Sequence, residues 1–165
     1  MARSELTVDE IKGILALSVP QLTEITKELT ALELHSAAEP GEWSINDVLA
    51  HLRACQDVLG RSIVRILDED QPAWRRLSPR TYMKRTDYPS WEFAPALQAF
   101  AAQRAMLLER ITSVPDEDWQ RTAIVTVPPG KTFHYTATYY GDWLAAHERV
   151  HLEQVEQTKQ LVKRR

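Results

Sequence analysis

GEWSINDVLAHL, residues 41–52, reads as the start of a helix. Ser44 is a good N-cap, and Asp47 falls in the first turn, where a carboxylate meets unpaired backbone N–H groups. From there Val48, Leu52, Cys55, Leu59, Ile63 and Ile66 recur every three or four positions, the period of one helix face. The pattern predicts a helix from Ser44 to about Asp68. Three further stretches share the period. One runs from about Thr7 to Leu34, with Thr7 and Glu10 as a capping box, Val8, Ile11, Leu15, Leu22, Ile25, Leu29 and Leu32 on one face, and Pro20 placed to kink or restart it. One covers Ser90 to Val114, with Phe93, Leu97, Phe100, Leu107 and Ile111, and stops at Pro115. The last starts near Thr138 as N-cap and carries Trp143, Leu144, His147, His151, Val155 and Leu161 to a basic end, Lys163 to Arg165. Four amphipathic segments predict an all-α, four-helix bundle.

The connections Glu69 to Pro89 and Pro115 to Ala137 are long for an up-down bundle, which predicts a crossover. In the second, Ala123 to Val127 and Lys131 to Tyr135 flank Pro128-Pro129-Gly130 and read as a small β-hairpin. A chain of 165 residues, 44% of them hydrophobic, suits a single domain spanning residues 1–165. The formal charge of −3 provides no general attraction for phosphate backbones or anionic lipid, so neither nucleic acid nor a membrane is an expected partner. Met1 to Gly13 lacks the basic flank and apolar run of a signal peptide, and Cys55 is the one cysteine, so a cytoplasmic protein without disulfides is expected.

His147 and His151, four apart on a helix, project from the same face within the apolar stripe. Two inward imidazoles need partners for four ring nitrogens, either hydrogen-bond partners or a shared metal. His51, on the flank of the second helix's stripe, offers a third imidazole to a neighbouring helix. His35 and His134 fall at a helix end and in the hairpin, where exposure is expected. His147-Glu148-x-x-His151 also matches the zincin protease motif, with Glu148 as general base. However, Gln154 and Gln157 stand where a metzincin has Gly and His, and too little chain follows for a later ligand helix. Glu148 otherwise reads as a surface carboxylate near Arg149, and is the one weak catalytic candidate.

Residues 41–52 resemble the G-x-W-S-x-x-[DE]-[VI]-L-x-H-[LI] signature of the DinB/YfiT-like superfamily, and His147-Glu148-Arg149-Val150-His151 is similar to its C-terminal H-x-x-x-H helix. The resemblance spans nearly the whole chain. It implies a four-helix bundle in which His51, His147 and His151 hold a divalent metal, commonly nickel or zinc. Family members that use low-molecular-weight thiols such as bacillithiol or mycothiol make S-transfer a candidate activity.

Three neutral imidazoles leave a coordination position open, whereas structural zinc sites are closed by four protein ligands. An open position acidifies a bound water for hydrolysis or deprotonates a bound thiol. The expectation is therefore a metal-dependent transferase or hydrolase acting on a small molecule, with S-transfer slightly ahead. The competing readings are a stress-related bundle in which metal only stabilises the fold, and a metal-free adaptor. Arg75, Arg76 and Arg80, interleaved with Trp74, Tyr82, Tyr88 and Trp91, are candidates to contact an anionic cofactor or substrate, against the plainer reading of a solvated loop. Cys55 can be a ligand or, as is commoner for a lone apolar-stripe cysteine, a small buried hydrophobe. Aromatic and Leu residues outside the stripes, with the resemblance, predict a homodimer.

Overall fold

A computed structural model describes residues 5–165, so residues 1–4 of the stretch examined for a signal peptide lie outside the described residues. The four expected helices form the bundle. They are α1 (Val8–Thr26), a rod built from α3 (Ile45–Cys55), a π-helical turn (Gln56–Gly60) and α4 (Arg61–Asp68), then α6 (Phe93–Ile111) and α7 (Ala137–Lys163). The α1 helix packs on α6 and α7, and so does the α3–α4 rod. Thus α1 lies diagonal to the rod, and α6 lies diagonal to α7. Among the described residues, no helix is long and apolar enough to cross a membrane.

The rod begins as the sequence predicts. Ser44 Oγ accepts from the Asp47 backbone N–H at 3.1 Å, and Asp47 Oδ2 accepts from the Ser44 N–H at 2.9 Å, a complete capping box. Its end at Asp68 also agrees. Pro20 does not restart α1, which runs through it to Thr26. The lost backbone bond is outweighed by packing of Ile11, Leu15 and Leu22, all fully buried, on both sides of the proline. The restart comes instead at Thr30, whose capping box with Glu33 opens the short α2 (Ala31–Leu34). That resets the helical phase, so Leu32, expected in the core, is 78% exposed and Leu34 is buried in its place. Similarly, Leu161 near the end of α7 is exposed while Val162 is buried.

Both long connections are structured. Residues 69–89 contain β1 (Ala73–Arg75), α5 (Pro79–Met83) and the start of a 3-10 turn (Tyr88–Ser90), so they are not a plain loop. That turn also moves the start of α6 from the expected Ser90 to Phe93. The hairpin is present as β2 (Thr122–Val127) and β3 (Lys131–Thr136), antiparallel, and β1 adds to β2 in parallel to make a three-stranded sheet. Because β3 extends to Thr136, that residue and not Thr138 caps α7, accepting from the Tyr139 N–H at 3.0 Å. The Thr138 hydroxyl donates to the Trp119 carbonyl.

At the centre of the bundle an ion pair joins the two diagonal helices. Arg104 of α6 and Glu148 of α7 are 2% and 0% exposed and form a two-point contact. Arg104 also donates to Gln56 Oε1 and to the Leu15 carbonyl, each at 2.9 Å, so all four long elements meet in one network. Gly60 makes room for it: a Cβ there would lie 2.6 Å from Gln56 Nε2. Removing one member leaves a buried charge without its partner, so Arg104→Ala is expected to lower unfolding free energy by about 3–5 kcal/mol, whereas Arg104→Met combined with Glu148→Met recovers most of the loss. Urea denaturation of both variants checks this, and equal stabilities for the single and double variants would contradict it.

Candidate metal centre

The capped start of α3 orients His51 one turn further on, towards α7. There His147 and His151 project one turn apart from the same face. The structure brings these three side chains together: His51 Nε2 lies 2.9 Å from His147 Nε2, and His151 Nε2 lies 3.0 Å from it. One ligand atom from each falls within 4.8 Å of the others. His51 and His151 are buried and His147 is half-buried.

Proton bookkeeping shows what this arrangement suits. Gln154 Oε1 lies 2.8 Å from His151 Nδ1, and an amide oxygen only accepts, so Nδ1 carries the hydrogen and Nε2 presents a lone pair. His51 Nδ1 is buried with no partner. Three Nε2 atoms crowded face to face cannot all be satisfied by one another, because each neutral ring has a single donor and a single in-plane acceptor. A cation at their meeting point satisfies all three, and bonds of about 2.0–2.1 Å from one ion can span the two short separations. Burial, reinforced by the neighbouring imidazoles and Arg80, holds His51 down to about 3. Burial, with His151 and Arg80, holds His147 to about 4, and burial also lowers His151. The rings are therefore neutral, as ligands must be.

Trp43 lines the site. Its ring is 5.0 Å from that of His51 and stacks on that of His151 at 6.4 Å. The guanidinium of Arg80, from α5, sits over the Trp43 ring, 4.8 Å from its centre. Trp43, Arg80, His151, Gln154 and Thr158 border a surface cleft of about 490 Å³, which opens at the His151 side of the cluster. Asp57 anchors the segment that carries Arg80, accepting hydrogen bonds from Tyr82 (3.1 Å), Tyr88 and Gln103.

The other sequence candidates separate clearly. Glu148 is not a surface carboxylate beside Arg149: it is fully buried and is held by Arg104. Its helical position between Leu144 and Leu152 carried that signal. Cys55 is buried with Sγ 3.5 Å from His51 Nε2, and burial pushes its thiol well up. Arg80 reaches the cleft beside the histidines, whereas Arg75 and Arg76 line a different one. His35 and His134 are exposed. Trp43 and Gln154 are not among the site candidates that the sequence offers. The i, i+3 spacing from His151 to Gln154 was the available clue.

The DinB superfamily model matches residues 16–155. The chain belongs to the DinB superfamily. The curated proteins provide no match. Among solved structures, this DinB-superfamily chain is similar to YfiT from Bacillus subtilis, described as a probable metal-dependent hydrolase with an unusual four-helix bundle topology. The TM-score is 0.78 at 15% identity, covering 97% of this chain and 91% of that one. The likeness confirms the bundle architecture.

The lowered histidine values set the acid limit of the metal-free fold. All three lie below the ordinary 6.5, so the unfolded chain binds more protons in acid than the folded chain does. Stability is then at its full value above about pH 6.5 and declines as pH falls from there towards about 4. Thermal denaturation of metal-free protein across this window should show the decline, and His147→Gln should make it shallower; identical slopes in the two proteins would refute the assignment.

Proposed function

We propose that this DinB-superfamily protein is a metal-dependent enzyme, most simply a hydrolase, with His51, His147 and His151 as its protein ligands. The observation that carries the reading is the convergence of three neutral imidazoles, one of which, His151, lines an open cleft. Among the described residues no fourth His, Cys, Asp or Glu joins them. Imidazole donors suit zinc or nickel. When bound, such an ion acidifies a water or a thiol at its open position.

The chain's own residues do the rest. Gln154 holds the His151 tautomer that presents a lone pair, the role an outer partner commonly has at metal-binding histidines. Trp43 shields one side of the rings from water, and Arg80 offers donors to an anionic group entering the cleft. Glu148 is not free to act as a general base, because both its oxygens are engaged by Arg104. The similarity to YfiT, a probable metal-dependent hydrolase, supports the class.

Arg80 also favours a second reading, S-transfer from a small thiol. A guanidinium beside the cleft suits the carboxylates that cofactor thiols carry, and attack by a thiolate needs no protein base.

Protein purified without an affinity tag is expected to hold about one divalent ion per chain, and His147→Ala well below one, by elemental analysis. Unchanged metal content in that variant removes His147 from the ligand set. Metal-loaded protein should then turn over members of an ester, amide and lactone panel, or couple a small thiol to an electrophile, with activity lost to a chelator and in His147→Ala. Full metal content with neither activity would return the bundle to a metal-stabilised, non-catalytic role.

A further inference from the structure

A second cleft, of about 180 Å³, opens between the C-terminal half of the α3–α4 rod, β1 and the N-terminal half of α7, and none of the three histidines lines it. Its walls are aromatic. Trp74 and Tyr140 have ring centroids 5.9 Å apart, and Tyr140 stacks with Trp143 at 6.2 Å. Burial raises the Tyr140 phenol to about 12, so this wall is uncharged.

The rim has the opposite character. Four arginines, Arg61, Arg65, Arg75 and Arg76, line the cleft against one carboxylate, Asp57. Asp57 is already occupied by Tyr82, Tyr88 and Gln103. Glu69 pairs with Arg65, but Arg61, Arg75 and Arg76 form no ion pair among the described residues. In a chain whose net charge is −3, this is a local concentration of unmatched positive charge. Arg76 lies 5.3 Å over Trp143 and Arg65 lies 4.9 Å over Trp74. A guanidinium stacked on an aromatic face keeps its edge N–H groups free for a planar anion.

We propose that this cleft binds a small aromatic carboxylate, its ring among Trp74, Tyr140 and Trp143 and its carboxylate on Arg75 and Arg76. The size agrees, since a cavity of about 150 Å³ admits a benzene ring. A flat ring takes offset or edge contacts with the aromatic walls, and a carboxylate matches the two-point geometry of a guanidinium fork. The backbone N–H of Arg76 donates to the Thr126 carbonyl at 2.9 Å, so the sheet positions this arginine in advance of any ligand. The site stands apart from the metal reading, because no histidine of the triad contributes to it.

Calorimetric titration of metal-free protein with benzoate, benzamide and acetate tests the assignment. Benzoate is expected to bind saturably at one site. Benzamide, which lacks the charge, and acetate, which lacks the ring, should each bind at least about tenfold more weakly. Arg75→Gln combined with Arg76→Gln should weaken benzoate by about tenfold with an unchanged far-UV spectrum, while His51→Ala should leave it within about twofold. Absence of saturable benzoate binding, equal binding of benzamide, or full affinity in a folded double-arginine variant would overturn the site. Loss of benzoate binding in folded His51→Ala would place the anion at the histidine cleft instead. Should the double variant not fold, the comparison of the three ligands on the unaltered protein still decides the proposal.

Discussion

Arg104 and Glu148 place two opposite charges at the driest point of the bundle, where each would be very costly alone. The arrangement is tolerated because the polar groups around it are matched: Glu148 takes two guanidinium donors, and Gln56 and the Leu15 carbonyl take others. An apolar core tolerates sliding by a fraction of a turn, since one Leu resembles the next. A buried guanidinium with fixed partners does not. The pair therefore sets the axial register of α6 against α7, α1 and the middle of the rod, in a single place.

That register reaches the candidate site directly. Glu148 lies between His147 and His151, so the rotation of α7 that directs its carboxylate at Arg104 also directs both imidazoles at the rod. Gln56 begins the π-helical turn immediately after Cys55, one turn beyond His51. The same network thus fixes both elements that supply histidines. Gly60 permits it by leaving Gln56 the space a side chain would take. The burial that accompanies this packing keeps the rings neutral, so their lone pairs are available to a shared ligand.

The two clefts share their supporting elements yet differ in chemistry. Trp43, Arg80 and Gln154 surround the histidines, whereas Trp74, Trp143 and unpaired arginines make the other. The segment between residues 69 and 89 contributes to both: Arg80 of α5 faces the histidine cleft, while β1 and Tyr82 face the second. Asp57, holding Tyr82 and Tyr88, ties this segment to the rod.

Local sequence was sufficient for the helices, the hairpin and the alignment of His147 with His151, because periodicity, caps and i, i+4 spacing are short-range properties. Ser44 and Asp47 alone determine where the rod begins, and motif order brought His51 into the same set. Other features depended on contacts between distant residues. A residue at the edge of a helical stripe can face water or a neighbour, and Glu148 was read as exposed because its partner, Arg104, lies 44 positions away. Leu32 shows the same limit, since a break in the helix reset its phase. The path of residues 69–89, and with it the separation of Arg80 from Arg75 and Arg76, was decided by pairing of β1 with β2, a contact across about fifty residues that no local spacing encodes. Which side chains can reach one another is a property of the packed bundle, and only there do three histidines become one centre.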